Sequence, residues 1–380
     1  MRVVINTPNY PNPYSEASFV FVKQQVKALS KLHSVTVIAV IPVSMKLCLK
    51  RKSFKFGFVR SGESQEQIFL FPAIPYLNKF NKFVRNVILH KLNQSFIKKN
   101  SVDIIHVHNS DVCASAYELK RKYSIPYVIT EHSTAFSRGL VCEETVKKYK
   151  MFYSFSDANF AVSEPFSALL NSIFDMNFKY IPNVVDTNRF VIENAASTKG
   201  DNNVFKFINV GFLDKKKNQL QLIKEFKVAL AAKPNLQLTI VGDGPEYNAL
   251  TKYVLDHKLE SKVLMYGYAS HSELKDLYRS HDCFILSSLI ETFGVVIIEA
   301  MSAGLPSIST KCGGPESIIT NSKLGVLVNN NSEGELTQAM LQVTCMKFDK
   351  NYLRNHCLKT YSYEAFSEKM TSEYTKITKS

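Results

Sequence analysis

Short apolar runs alternate with amphipathic stretches along the chain. Runs at Val3–Asn6, Ser34–Val40, Gln67–Phe71, Asp103–Val107, Tyr127–Thr130 and Ala158–Val162 predict strands. Helical spacing predicts helices at Phe19–Leu32, Val112–Lys122 and Pro165–Phe174. The alternation then restarts. Strands are expected at Phe205–Val210, Leu236–Val241, Lys262–Tyr266, Cys283–Leu286 and Ser307–Ser309, with helices at Asn218–Ala232, Glu246–His257, Glu273–Arg279 and Val295–Ala303. Strand–helix alternation implies a parallel sheet covered on both faces. Ile181–Phe190 and the polar stretch Asn194–Asn203 separate the two series. The expectation is an α/β protein of two Rossmann-like, doubly wound domains facing across a cleft. The first spans 1–184, a linker 185–203, and the second begins at 204. Ligands of such sheets bind beyond the carboxyl ends of the strands.

The 380 residues are 45% hydrophobic and 21% charged, which excludes wholesale disorder. No apolar run is long enough for a membrane-spanning helix, and Met1–Asn6 reads as a first strand rather than a leader. Seven scattered cysteines without a C-x-x-C pair fit reduced cytosolic thiols better than a disulfide frame or a zinc site. The net charge of +14 is lopsided: residues 1–185 hold 24 basic and 12 acidic side chains, the remainder 23 and 21. Two acid-free windows concentrate the excess, residues 46–60 and 79–99. Both mix cations with aromatic or apolar residues, as in Phe54-Lys-Phe-Gly-Phe58 and in the spacing of Phe83, Val87, Leu89, Leu92 and Phe96. Three readings stay open: a face for an anionic membrane, a solvated basic helix over a buried apolar stripe, and a nucleic-acid face.

The segment richest in chemistry is Glu291-Thr-Phe-Gly-Val-Val-Ile-Ile-Glu-Ala-Met-Ser-Ala-Gly-Leu-Pro306. Glu291 falls in a loop after a predicted strand and Glu299 within the following helix. The amides of Phe293, Gly294 and Val295 sit where a helix N-terminus binds phosphate. Two solvated glutamates on a surface helix are the plain alternative. With Gly313-Gly-Pro-Glu316 downstream, the segment resembles the C-terminal signature of family 4 retaining glycosyltransferases, nucleotide-sugar enzymes of the GT-B fold. Ile181–Phe190, Val210-Gly-Phe-Leu-Asp-Lys-Lys-Lys217, Ile240-Val-Gly-Asp-Gly-Pro-Glu246 and Ser287-Ser288 resemble further family blocks in the expected order.

The resemblance implies a role for each matching residue. Glu291 would contact the donor sugar and Glu299 the ribose hydroxyls, as acceptor-only carboxylates can. Phe293, Gly294 and Val295 would hold the diphosphate, with Gly211 beside it. Gly267 and Tyr268 would edge the base. Lys217 matches the family's lysine on the leaving diphosphate, whereas Phe212 stands where an arginine is usual. His132 matches a histidine facing the donor sugar, and His108 is a second candidate. The family's glycine-pair loop after strand one is replaced by Thr7–Ser18, where Ser15 and Ser18 would approach the donor phosphate or the acceptor. The chain end from Tyr361 reads as an amphipathic helix, which in GT-B enzymes returns to the first domain, leaving 204–360 as the nucleotide-sugar domain.

No metal-binding Asp-x-Asp pair and no G-x-G-x-x-G after strand one occur, so no metal and no nicotinamide cofactor is expected. The implied activity is metal-independent, retaining transfer of a hexose from a nucleotide diphosphate sugar to a glycan acceptor, in a lipid-linked surface-polysaccharide or O-antigen setting. The protein is then expected to be cytoplasmic and peripheral to the inner face of the membrane through residues 46–60 and 79–99, without nucleic acid. Phe212 and the missing glycine pair keep a second reading, a sugar-nucleotide-binding protein with impaired turnover.

Overall fold

The computed structural model describes residues 1–16, 18–59, 65–192, 204–330 and 332–379. It divides into two compact units, Met1–Val184 with Tyr363–Ser380, and Val185–Ser362. The expected linker falls largely on 193–203, which lie outside the described residues, as do Ala17 and Arg60.

In the first unit the strands are β1 (Arg2–Thr7), β2 (Ser34–Ser44), β3 (Gly57–Val59), β4 (Gln65–Ala73), β5 (Ile104–His108), β6 (Tyr127–Glu131), β7 (Ala158–Ala161) and β8 (Phe178–Tyr180). Among the described residues they form one sheet in the order β3-β4-β2-β1-β5-β6-β7-β8. All neighbours are parallel except the edge pair, where β3 runs antiparallel to β4. That hairpin departs from the uniformly parallel sheet expected from the alternation. Helices α1 (Val20–Leu29), α2 (Met45–Arg51), α3 (Asn78–Ile97), α4 (Cys113–Tyr123), α5 (Thr134–Ser137), α6 (Glu143–Phe155) and α7 (Glu164–Phe174) connect the strands. β1 is buried at five of its six positions, as a central strand covered on both faces must be.

The second unit repeats the plan with β9 (Phe205–Val210), β10 (Leu236–Val241), β11 (Val263–Gly267), β12 (Cys283–Leu286), β13 (Ser307–Thr310) and β14 (Gly325–Val328). Their order is β11-β10-β9-β12-β13-β14, all parallel. Helices α8 (Gln219–Ala232), α9 (Tyr247–Asp256), α10 (His271–Arg279), α11 (Val295–Ser302), α12 (Glu335–Val343) and α13 (Lys350–Tyr361) flank the sheet. Its core joins Phe207, Leu222, Phe226, Leu238, Ile285 and Ile308.

The last helix, α14 (Tyr363–Thr378), belongs to the first unit, where Phe366, Met370 and Tyr374 enter the core with Val26, Ala28 and Leu29 of α1. Ser367 Oγ donates to the Ala28 carbonyl at 2.5 Å.

Helix α3 reverses the expected apolar stripe. Its buried positions are Asn81, Arg85, Leu89 and Asn93, while Phe83 and Val87 face outward. Each buried polar group is bonded: Asn81 to the Ile74 backbone, Arg85 to the Asp111 carbonyl at 2.9 Å, and Asn93 to Asn6 and Ser115. Two cations of the 79–99 window are therefore committed elsewhere, since Lys82 and Arg85 both pair with Asp111.

Candidate active site

In the second unit, the carboxyl ends of β9 and β12 bring the main candidates together. After β9 the chain passes Gly211 and Phe212 into a 3-10 turn, Lys215–Lys217, capped by Asp214, whose carboxylate accepts the Lys217 amide at 3.2 Å. The three lysines are thereby made unequal. Lys215 is exposed and Lys216 pairs with Asp214 at 3.8 Å, whereas Lys217 turns inward with 17% of its side chain exposed. Its ammonium ion-pairs with Glu291 Oε1, an oxygen that also accepts the Ser288 hydroxyl at 2.9 Å. Ser287 Oγ donates to the Lys217 carbonyl at 2.8 Å and the Leu289 amide to the Lys216 carbonyl at 2.7 Å. The end of β12 thus holds the lysine turn by its backbone as well as by charge.

Glu291 is fixed from the other side by the chain after β13. Its amide donates to the Cys312 carbonyl at 2.8 Å, and the Gly314 amide donates to the Glu291 carbonyl at 2.8 Å. Only glycine fits here: a Cβ on Gly313, at φ 114°, would lie 2.6 Å from the Glu291 oxygen, and one on Gly314 would lie 2.2 Å from Phe293 Cα. The Glu316 carboxylate accepts the Gly313 amide, closing the turn.

Gly294 is the N-cap of α11, with φ 101° and no side-chain cap of its own. Phe293, immediately before it, is buried with its ring 6.0 Å from that of Tyr361. Phe293, Gly294 and Val295 thus lead into the N-terminus of α11, where the helix dipole favours negative charge, next to the loop that holds Glu291.

Glu299 sits one turn further along α11, half-buried. Burial pushes its carboxyl up to about 7, against the opposing effects of the Tyr278 hydroxyl, which donates at 3.1 Å, and of the Arg189 charge. A hydroxyl-bearing ligand would supply the donors that stabilise the ionised form.

A methyl placed on Gly211 would meet Lys217 Cε at 4.0 Å, so this flank of the turn is open. Gly242, after β10, packs so closely that a Cβ would strike the Gly211 oxygen. Gly267 ends β11 at φ 81° and accepts the Gly242 amide at 2.8 Å, leaving Tyr268 exposed beside it. Phe212 is 60% exposed.

The remaining candidates lie in the first unit. His132, just after β6, is buried against Phe21, ring centroids 4.7 Å apart, and its Nε2 lies 3.0 Å from His108 Nδ1. His108 stacks on His106 at 4.4 Å, and His106 bonds Thr130 and the Tyr374 hydroxyl of α14 at 2.7 and 2.6 Å. Burial holds His106 and His132 well below the usual imidazole range and brings His108 down to about 3. All three rings are thus neutral near pH 7, so His132 offers a hydrogen-bonding group and not a cation. Next to it Glu131 is fully buried and accepts from Ser110, Ser133, Tyr153 and the His132 amide. Ser15 pairs through its backbone with Asn12, and the Ser18 amide donates to Ser15, so this loop is a closed turn.

Reasoning from sequence missed Asp214, Tyr278, the role of Ser288 and the stacking of the histidines. Asp214 carried a signal, an Asp directly before the lysine run, the usual place of a cap. Ser288 was visible as part of a family block but not its bond to Glu291, and Tyr278 and the histidine stack are set by contacts between separate segments that leave no local pattern.

Two family models match adjoining segments: Glycosyltransferase Family 4 over residues 19–189 and Glycosyl transferases group 1 over 191–356. An uncharacterized glycosyltransferase of Methanocaldococcus jannaschii is 32% identical over 194 residues, 49% of this chain and 47% of that protein. The UDP-Gal:alpha-D-GlcNAc-diphosphoundecaprenol alpha-1,3-galactosyltransferase of Escherichia coli is 28% identical over 291 residues, 68% of this chain and 72% of that one. Among solved structures, sucrose-phosphate synthase from Thermosynechococcus elongatus superposes with a TM-score of 0.78 at 18% identity, covering 99% of both chains. With two parallel α/β units and a matching model on each, the chain belongs to the family 4 type of GT-B glycosyltransferases.

Proposed function

We propose that this glycosyltransferase moves a hexose from a nucleotide diphosphate sugar to a lipid-linked glycan acceptor, with retention of configuration and without a metal. The observation that carries the reading is the Lys217–Glu291 pair beside the N-terminus of α11. Breaking the sugar–phosphate bond leaves positive charge on the ring and negative charge on the departing phosphate. Glu291 suits the sugar hydroxyls and the developing ring charge. Lys217 and the amides of Phe293, Gly294 and Val295 suit the diphosphate, and Glu299 suits the ribose. The acceptor oxygen forms its bond to the anomeric carbon as the carbon–oxygen bond to phosphate breaks. The electron pair and the acceptor's proton both end on the leaving diphosphate, giving attack on the face it leaves. His132, neutral and held by His108, is assigned a hydrogen bond to the donor sugar. Gly211, Gly267 and Tyr268 are assigned to the donor's surroundings, and Ser15 and Ser18 to the donor phosphate or the acceptor.

The acceptor in the name of the Escherichia coli relative supports a lipid-diphosphate acceptor here, and we place the activity in surface polysaccharide assembly of the O-antigen or lipopolysaccharide kind. The basic excess of the first unit fits an anionic, membrane-borne acceptor and a peripheral place on the inner face of the cytoplasmic membrane. Among the described residues no helix is long and apolar enough to cross a membrane.

The test is product formation from a panel of labelled nucleotide sugars with a polyprenyl-diphosphate-linked acceptor. Wild type should form a product whose anomeric linkage matches the donor's, and Glu291→Ala should bind nucleotide but form none. Phe212 favours the second reading, a nucleotide-sugar binder with impaired turnover, because the exposed ring brings no charge to the leaving group. Nucleotide binding without product across the whole panel, in wild type and Glu291→Ala alike, would replace the first reading by the second.

A further inference from the structure

An amphipathic helix on a water-soluble surface turns its apolar side inward. Helix α3 largely does the opposite: beside Leu89 it packs Asn81, Arg85 and Asn93 inward, and it presents Phe80, Phe83 and Val87 outward, with Phe83 64% exposed. Each inward polar side chain is held by at least one protein partner, so this arrangement is built in.

Neighbouring elements bring more rings to the same corner of the sheet. The chain enters α3 through the Ile74–Leu77 turn, where Tyr76 is 100% exposed at φ 62°. β3 lies antiparallel to β4 with Gly57 opposite Leu70, so Phe54 and Phe56 run alongside the end of β4 that leads into this turn. Helix α2 leaves β2 at Ser44, which pairs with Ala73 at that same end. The exposed cations here are Lys46, Lys50, Arg51, Lys52, Lys55 and Lys79, and among the described residues none of them pairs with a carboxylate. Between Ser44 and Val102 the sequence has two acids: Glu63, outside the described residues, and Glu66, which accepts the Tyr10 hydroxyl at 3.0 Å.

We infer that this corner inserts its aromatic rings into the headgroup–acyl boundary of an anionic bilayer, with the surrounding cations on the lipid phosphates. Exposed rings interleaved with lysines and without acids match that interface in both polarity and charge. A second copy of the chain is disfavoured because it would bring another cation cluster against the first. The inference rests on the proposed lipid-linked acceptor and deepens it: the membrane is held by insertion as well as by charge, and Phe80, Phe83 and Tyr76 matter beside the lysines.

The chain contains no tryptophan, so single-tryptophan variants report insertion directly. Phe83→Trp, Tyr76→Trp and, as a control in the second unit, Leu255→Trp would be titrated with vesicles of phosphatidylcholine alone or mixed three to one with phosphatidylglycerol, with and without brominated acyl chains. The expected result is a blue shift and bromine quenching for Phe83→Trp and Tyr76→Trp in the anionic vesicles, with Leu255→Trp unchanged. In sedimentation, the double variant Phe80→Ser/Phe83→Ser should partition about tenfold less or weaker still, all lysines being present. Vesicle binding without a shift or quenching would overturn insertion. So would wild-type partitioning of the double variant, or self-association that blue-shifts Tyr76→Trp without lipid. Transfer to a water-soluble acceptor analogue, measured in parallel, separates the two claims. Its failure in wild type with insertion intact would sink the transferase reading and leave the membrane face standing.

Discussion

Lys217 and Glu291, 74 residues apart, meet at one carboxylate oxygen that also accepts the Ser288 hydroxyl. A lysine matched to the leaving group and a glutamate matched to the sugar are therefore one charged unit before any ligand arrives. Each holds the other's side chain in place, and on the proposed reading an incoming diphosphate would compete with Glu291 for the ammonium.

Removing either partner should cost turnover more than folding. Lys217→Ala and Glu291→Gln are each expected to lower kcat by on the order of a hundredfold or more, the usual scale for losing one group that meets developing charge. Their combination should cost much less than the product of the two single losses. Steady-state kinetics on the four proteins of the cycle would show this; simple multiplication of the losses would mean that the two act independently.

Glu299 ties stability to pH. Its folded-state value of about 7 lies above the ordinary carboxyl value, so its contribution is full below about pH 4.5 and fades as pH rises through 7. Glu299→Gln is spared that loss, so its Tm relative to wild type should climb between pH 5 and pH 8. Nucleotide affinity should fall in the same variant, because an amide replaces an ionised acceptor. A Tm difference that stays flat over this range would contradict the buried, raised carboxyl.

The glycines give a steric test. Gly314→Ala drives a methyl into the Phe293 backbone and should lower stability by about 2 kcal/mol or more, weakening nucleotide binding as the Glu291 loop shifts. Gly211→Ala meets only Lys217 Cε at 4.0 Å and should stay within about 0.5 kcal/mol of wild type. Denaturant unfolding ranks the two, and equal destabilisation would refute the contact geometry.

Acid should loosen the first unit. His106, His108 and His132 stay neutral when folded but gain protons when unfolded, so stability falls as pH drops below about 6.5. Each contributes a slope of up to about 1.4 kcal/mol per pH unit. His108→Gln should shed one proton's worth of that slope in urea unfolding at pH 7, 6 and 5. A variant with the wild-type slope would show that His108 does not resist protonation.

The second unit was more legible in the sequence than the first. Phe205–Val210, Leu236–Val241 and Cys283–Leu286 are strands over the very residues their apolar-rich runs mark, because strands buried on both faces carry mostly apolar side chains. Helix α6 escaped notice because only Phe152 and Tyr153 are buried on it, too few to set a period. Helix α3 misled in the other direction, with Phe80, Phe83 and Val87 pointing away from the core and polar residues packed inward. Of the site, the glutamates, glycines and lysine were visible as motif. The ion pair between Lys217 and Glu291, and the Tyr278 hydroxyl on Glu299, were not, since pairing across dozens of residues has no local signature.

Helix α14 makes the second unit an insertion within the first, since the chain leaves at Val184 and resumes at Tyr363. During synthesis the second unit is complete on the ribosome before the first has all its parts. Until Phe366, Met370 and Tyr374 emerge, the Val26–Leu29 side of α1 lacks its cover and His106 lacks its hydroxyl partner. Helix α14 therefore completes the first unit only after the second has been made. A stop before α14 would leave a finished second unit tethered to an unfinished first one, a prime target for quality-control proteases.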